Sequence, residues 1–108
     1  METIGVRLDA LLERIDQGIG AEEIRSDTAR LLRNCLNAKG DFLDSWEKMH
    51  LEMAIALLPT AWLTLAVTHV KMALEPPEAR SEIAPARARQ FESITCDQLA
   101  ARLAALEC

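Results

Sequence analysis

Between Met53 and Val70 the chain reads MAIALLPTAWLTLAVTHV, eighteen residues without a formal charge, and no other feature restricts the fold as much. A segment apolar on nearly every side has to be hidden, either in a bilayer or at the centre of a bundle. Eighteen residues is the lower edge for a membrane span, and five of these positions are Pro59, Thr60, Thr64, Thr68 and His69. Lysine and arginine flank the run on both sides, seven before and five after, which leaves no positive-inside bias to orient an insertion. The neighbouring segments carry one-sided apolar stripes that would have nothing to cover if this run left for a bilayer. It is therefore predicted to be the central helix of a soluble bundle.

Its length poses the next problem. From about Phe42 the pattern reads as helix to about Glu75, where Pro76 and Pro77 stop it, with Asp41 in the capping position and Asp44 three residues later. A continuous helix of that length spans roughly 50 Å, whereas a compact domain of this size is about 34 Å across. Pro59 lacks the N–H that would bond to the carbonyl of Ile55, so the helix is expected to kink or break there and fold onto one core. The other outcome is a straight helix that protrudes and pairs with a second copy of the chain.

The flanking stripes define the rest of the bundle. Ile4, Leu8, Leu11, Leu12, Ile15 and Ile19 recur at helical spacing, and Gly18 and Gly20 bracket the end of that stripe as stop signals. A second helix is predicted from Ala21 to about Asn37, with Ile24, Thr28, Leu31, Leu32, Cys35 and Leu36 inward and Lys39-Gly40 at its end. Beyond the double proline, RSEIAPARARQFESI supports one or two short helical turns, with Pro85 at the start of one. Thr95-Cys96-Asp97-Gln98 has the form of a capping box, and Leu99, Leu103 and Leu106 continue as a stripe. Leu and Ala dominate the apolar residues, and there is no Tyr, which suits helices and not strands. The chain is predicted to be all-α, a single domain over residues 1–108 with four to five helices around a long central one, kinked or broken at Pro59.

Charge and cysteine usage limit the function classes. A formal net charge of −5 repels phosphate, and the one basic group, Arg80, Arg87 and Arg89, is interleaved with Glu78 and Glu82. Nucleic acid is not an expected partner. Cys35, Cys96 and Cys108 form no C-x-x-C pair and leave an odd thiol, which points away from a disulfide framework and toward a reducing cytoplasm.

Catalytic and metal signatures are weak. Glu47-Lys48-Met49-His50 has the Glu-x-x-His spacing of di-iron bundles, but His69 has Ala66 three residues before it, so the second pair is missing and no metal or cofactor is expected. Neither histidine has a recognisable activating group in the sequence, and no enzyme activity is expected. On a continuous helix His69 would share a face with Leu51, Ile55, Leu58, Trp62, Leu65 and Met72. A thiol at a helix start can have a lowered pKa, which makes Cys96 the one to test for reactivity, although inert packing is the favoured reading. Thr60, Thr64 and Thr68 form a row of small side chains, each able either to admit another helix or to bond to a carbonyl one turn back.

The residues that stand out are apolar, and the expected function is a cytoplasmic protein-interaction module. Trp46, Met49, Met53, Thr60, Trp62, Thr64 and His69 are the candidate partner-binding residues, since Trp and Met are enriched at interface centres. In size and composition the chain is similar to small acidic helical proteins of bacteria that antagonise transcription factors, the anti-activators and anti-sigma-type proteins, and also to secretion chaperones. That similarity implies a regulatory antagonist acting on a partner protein such as a transcriptional regulator, and the apolar helix too long for its own domain is the ground for expecting a homodimer. The alternative is a DNA-binding regulator that uses the first two helices as a helix-turn-helix.

Overall fold

The computed structural model describes residues 4–18, 20–75 and 88–106, with the side chains of 4–7 and 16 left aside. These residues form five α-helices and no strand: α1 (Ile4–Asp16), α2 (Ala21–Lys39), α3 (Ser45–Leu57), α4 (Leu63–Ala73) and α5 (Cys96–Leu106), with 3₁₀ turns at Gly40–Phe42 and Arg89–Phe91. The chain is a small all-α bundle of 36 × 32 × 28 Å.

The first two helices form where their stripes place them. Leu8 and Leu11 of α1 are buried, and all six inward positions of α2 are buried together with Ala29. Gly18 turns the chain between them at φ 76°, in the left-handed region open to glycine. Arg14 fastens the hairpin by reaching Glu23 at 2.6 Å and Asp27 at 3.2 Å. Ile4 and Ile19, predicted for the same stripe, lie outside the described side chains.

The central run does not stay one helix. It also starts later than expected, because Asp44 and not Asp41 caps α3: Glu47 N–H donates to Asp44 Oδ1 at 2.8 Å and Asp44 N–H to Glu47 Oε1 at 3.1 Å. Asp44 has Glu47 three residues ahead, so both halves of a capping box exist, whereas Asp41 has Asp44 there. Asp41 lies exposed in the preceding 3₁₀ turn. Glu47 is buried with Lys39 as its ion partner.

At Pro59 the helix breaks. Leu58 N–H bonds to both Ala54 O at 3.0 Å and Ile55 O at 3.3 Å, so the carbonyl that Pro59 leaves without its usual donor is still served. Thr60 donates its hydroxyl to Leu57 O at 2.6 Å, not to Ala56, and accepts from Trp62 N–H at 3.0 Å. Arg25 crosses from α2 to close the end of α3, donating Nε–H to Leu58 O at 2.7 Å and Nη2–H to Thr60 O at 3.4 Å. The carbonyls of Ile55, Leu57, Leu58 and Thr60, which a broken helix would expose, thus keep donors.

After the break α4 returns antiparallel to α3, as the pairs Trp46–Met72 and His50–His69 show. The break also resets the helical phase. Leu51, Ile55 and Leu58 face the core, but α4 buries Leu63, Ala66, Val67, Val70 and Ala73, while Trp62 and Leu65 emerge to solvent at 64% and 44% exposure. The single face expected for Leu51 through Met72 belongs to a straight helix and does not exist. The straight-helix ground for a second copy falls with it. Among the described residues no helix is long and apolar enough to cross a membrane.

The core is shared by all five helices, with Leu8, Ile24, Leu31, Leu32, Leu51, Leu58, Val67, Val70, Leu99 and Leu103 fully or nearly fully buried. α5 starts on the predicted box, with Gln98 N–H donating to Thr95 Oγ1 at 3.1 Å and Thr95 N–H to Gln98 Oε1 at 3.0 Å. Of the segment after the double proline, Pro85, Arg80, Arg87, Glu78 and Glu82 lie outside the described residues.

Arg25→Ala should remove the clamp on the break and lower stability by about 1–2 kcal/mol, as expected for charge-assisted bonds at a part-buried site. Urea denaturation monitored by circular dichroism measures it; an unchanged midpoint would show that the break holds without Arg25.

Candidate functional site on the α3–α4 seam

The outer face of the α3–α4 hairpin gathers most of the residues that the sequence singles out. On α3, Trp46, His50, Met53 and Leu57 succeed one another at spacings of three or four, and Trp62, Leu65, His69 and Met72 do so along α4 and its cap. Antiparallel packing opposes the two rows, and their two ends have different fates.

At one end the seam is closed. Trp46 donates Nε1–H to Met72 O at 2.8 Å and is only 8% exposed. With Met49 it forms a small satellite core under Ala88 and Phe91, the turn that precedes α5. Trp46 and Met49 are thus covered within the chain. At the other end Trp62, Leu65, Thr64 and Met53, the last 36% exposed, reach solvent. Thr60 is half-buried in the break, and Thr68 bonds back to Thr64 O at 2.7 Å, as its carbonyl-bonding alternative predicts.

Between the two ends sits a pair of histidines. His50 Nδ1 and His69 Nδ1 lie 2.9 Å apart, with ring centroids 5.2 Å apart and planes inclined by 29°. Trp46 meets His50 edge-on at 4.4 Å. His50 is buried and His69 half-buried. A bond between two Nδ1 atoms requires one ring to carry its proton there and the other to present a lone pair. The pair holds one proton between the rings; a second one would set two N–H groups against each other. Burial pushes the pKa of His69 below the ordinary histidine range.

Sequence reasoning treats the two histidines singly because they are nineteen residues apart, on either side of Pro59. The hairpin brings them together. The available signal is the repeat His50-x-x-Met53 and His69-x-x-Met72, which becomes visible once the helix is folded in two.

The other sequence candidates are inert or occupied. The Cys96 thiol, for all its place at a helix start, is pushed up by burial first and then by Asp97 and Asp41, and its Sγ points to Leu36 O at 3.6 Å. Burial pushes the Cys35 thiol up as well. A cavity of about 450 Å³ between α2, the break and the end of α5 is lined by Glu22, Arg25, Ser26, Arg33, Pro59 and Leu106, but Arg25 there is committed to backbone carbonyls. That commitment also removes one of the three arginines that α2 would offer to DNA. No protein-family model, no curated protein and no solved structure matches this chain.

The histidine pair gives stability a pH dependence of fixed sign. Because His69 binds its proton less readily folded than unfolded, the unfolded state takes up more protons as pH drops below about 6.5. Stability should therefore be flat above that value and fall between pH 6.5 and the lowered folded pKa. Denaturant midpoints measured from pH 8 to pH 5 should show this fall, and His69→Gln should flatten it; a wild-type midpoint that rises on acidification would contradict the sign.

Proposed function

We propose that the chain is a protein-interaction module whose docking surface is the open end of the α3–α4 seam, formed by Met53, Trp62, Thr64 and Leu65. The observation that carries this is Trp62, an indole left 64% exposed beside Leu65 on the uncharged end of a hairpin. Tryptophan at a surface is the side chain most enriched among residues that dominate binding energy. The occupant that fits is an amphipathic helix, which lays an apolar row into the row between two packed helices.

The charge of the chain sets the rest of the partner's chemistry. A net charge of −5 steers toward a basic protein, and basic segments are what nucleic-acid-binding regulators present. A regulatory antagonist that covers such a segment, in the manner of an anti-activator, is consistent with both the apolar row and the acidic body. No enzymatic role is assigned, and the compartment that suits three cysteines without a pairing pattern is a reducing one.

A photo-crosslinking amino acid placed at position 62, with a control at the exposed position 101 on α5, tests the surface in the native cells. Position 62 should give one discrete heterologous adduct and position 101 none, and mass spectrometry should locate the crosslink in a basic amphipathic helix. An adduct of twice the chain's mass would identify a second copy as the occupant and overturn the heterologous partner; equal labelling from both positions would remove the surface itself.

A further inference from the structure

The hairpin creates a symmetry among donor atoms that shares only Met53 with the docking surface. His50-Leu51-Glu52-Met53 and His69-Val70-Lys71-Met72 have the same His-x-x-Met form. Residues three apart on a helix share a face, with Cβ atoms roughly 5–6 Å apart. In antiparallel helices whose histidines are opposed, one methionine falls on each side of the imidazole pair, related by the hairpin's local two-fold. The geometry points to a soft-metal site made by His50, His69, Met53 and Met72 that takes one copper(I) ion.

Donor chemistry selects the metal. Two neutral imidazoles and two thioethers are a borderline-to-soft, uncharged set, and thioether sulfur favours Cu(I) over hard dications. Among the described residues no cluster of three His, Cys, Asp or Glu stands ready for a metal, so the carboxylate-rich set of a magnesium, calcium or manganese site is not found there. The nitrogen geometry is close to what a metal needs. With metal–imidazole bonds of about 2.0–2.1 Å, a tetrahedral angle separates two ligand nitrogens by about 3.3–3.4 Å. The observed 2.9 Å has to open by only about half an ångström, and His69, half-buried, lies on the exposed side of the pair.

Proton accounting closes without a co-reactant. In the neutral pair one ring is protonated at Nδ1 and the other at Nε2; with metal bound both carry the proton on Nε2. One tautomer changes and no proton is released. Trp46 packs edge-on against His50, and Met53 is exposed enough to admit the ion from solvent.

The test is an anaerobic competition of the reduced full chain against bicinchoninate for Cu(I), after alkylation of accessible thiols with iodoacetamide. One equivalent of copper should be retained. His50→Gln and His69→Gln should each weaken retention by roughly tenfold or more, and Met53→Leu and Met72→Leu by a smaller factor, at unchanged helicity. Retention that vanishes on alkylation, or that ignores the histidine substitutions, overturns the site. Zn²⁺ held as tightly as Cu(I), with no effect of Met→Leu, overturns the copper assignment. In case the variants do not fold, the unaltered chain is titrated with Ag(I), a redox-inert surrogate, and both Nδ1 ¹⁵N resonances should move; movement of neither overturns the site.

Discussion

The turn from Leu58 to Trp62 decides how the most apolar part of this chain is buried. A proline in a helix usually costs several kcal/mol because it removes one donor and crowds one carbonyl. Here the removed bond is replaced at once, by the shared N–H of Leu58, by the hydroxyl of Thr60 and by the guanidinium of Arg25 arriving from α2. The break is thereby converted from a defect into a corner. With the corner in place, a segment of roughly thirty residues fits a body only 36 Å long, and both of its halves can present a face to the same core.

The corner also determines which residues meet. In a straight helix nineteen residues separate His50 and His69 by about 28 Å; folded back, their Nδ1 atoms are 2.9 Å apart. Trp46 and Met72 come together by the same operation. The proton-sharing pair, the indole that packs on it and the two flanking methionines are therefore all products of one turn, and any role they have depends on the turn that Arg25 closes.

The helices whose faces are set by local spacing are legible in the amino-acid sequence, and those whose faces depend on the corner are not. Every inward position of α2 can be read from periodicity, because that helix is unbroken and buries one stripe. The capping box of α5 is readable because both of its members are local. The phase of α4 is not, since no rule of spacing says by how many degrees a proline break rotates the second helix against the first. Periodicity along a continuous helix consequently puts Trp62 and Leu65 on one face with Leu51, Ile55 and Leu58, from which the break turns them to the surface, and it gives His69 no neighbour across the hairpin. The inert packing favoured for Cys96 over a reactive thiol fits the raised pKa, to which burial contributes most, followed by the adjacent Asp97 and then Asp41.

The division of the seam into a covered and an open half bears on function because the two halves begin alike. Each has a Trp and a Met: Trp46 and Met49 at one end, Trp62 and Met53 at the other. The turn at Arg89–Phe91 lies over the first pair, and burial of such side chains is worth roughly 1.5–3 kcal/mol apiece. The second pair forgoes that gain within the chain. Among the described residues α1 and α2 carry exposed charge, as Asp9, Glu13, Glu22, Glu23, Arg30 and Arg33 show; Phe42, Leu74 and Leu106 are exposed apolar side chains as well, but the corner of the hairpin gathers Met53, Trp62 and Leu65. An apolar row of this kind adds nothing to folding and raises the tendency to associate. Its stabilisation is still available to whatever covers it, which is the physical basis for proposing an interaction surface there and not on the better-charged faces of α1 and α2.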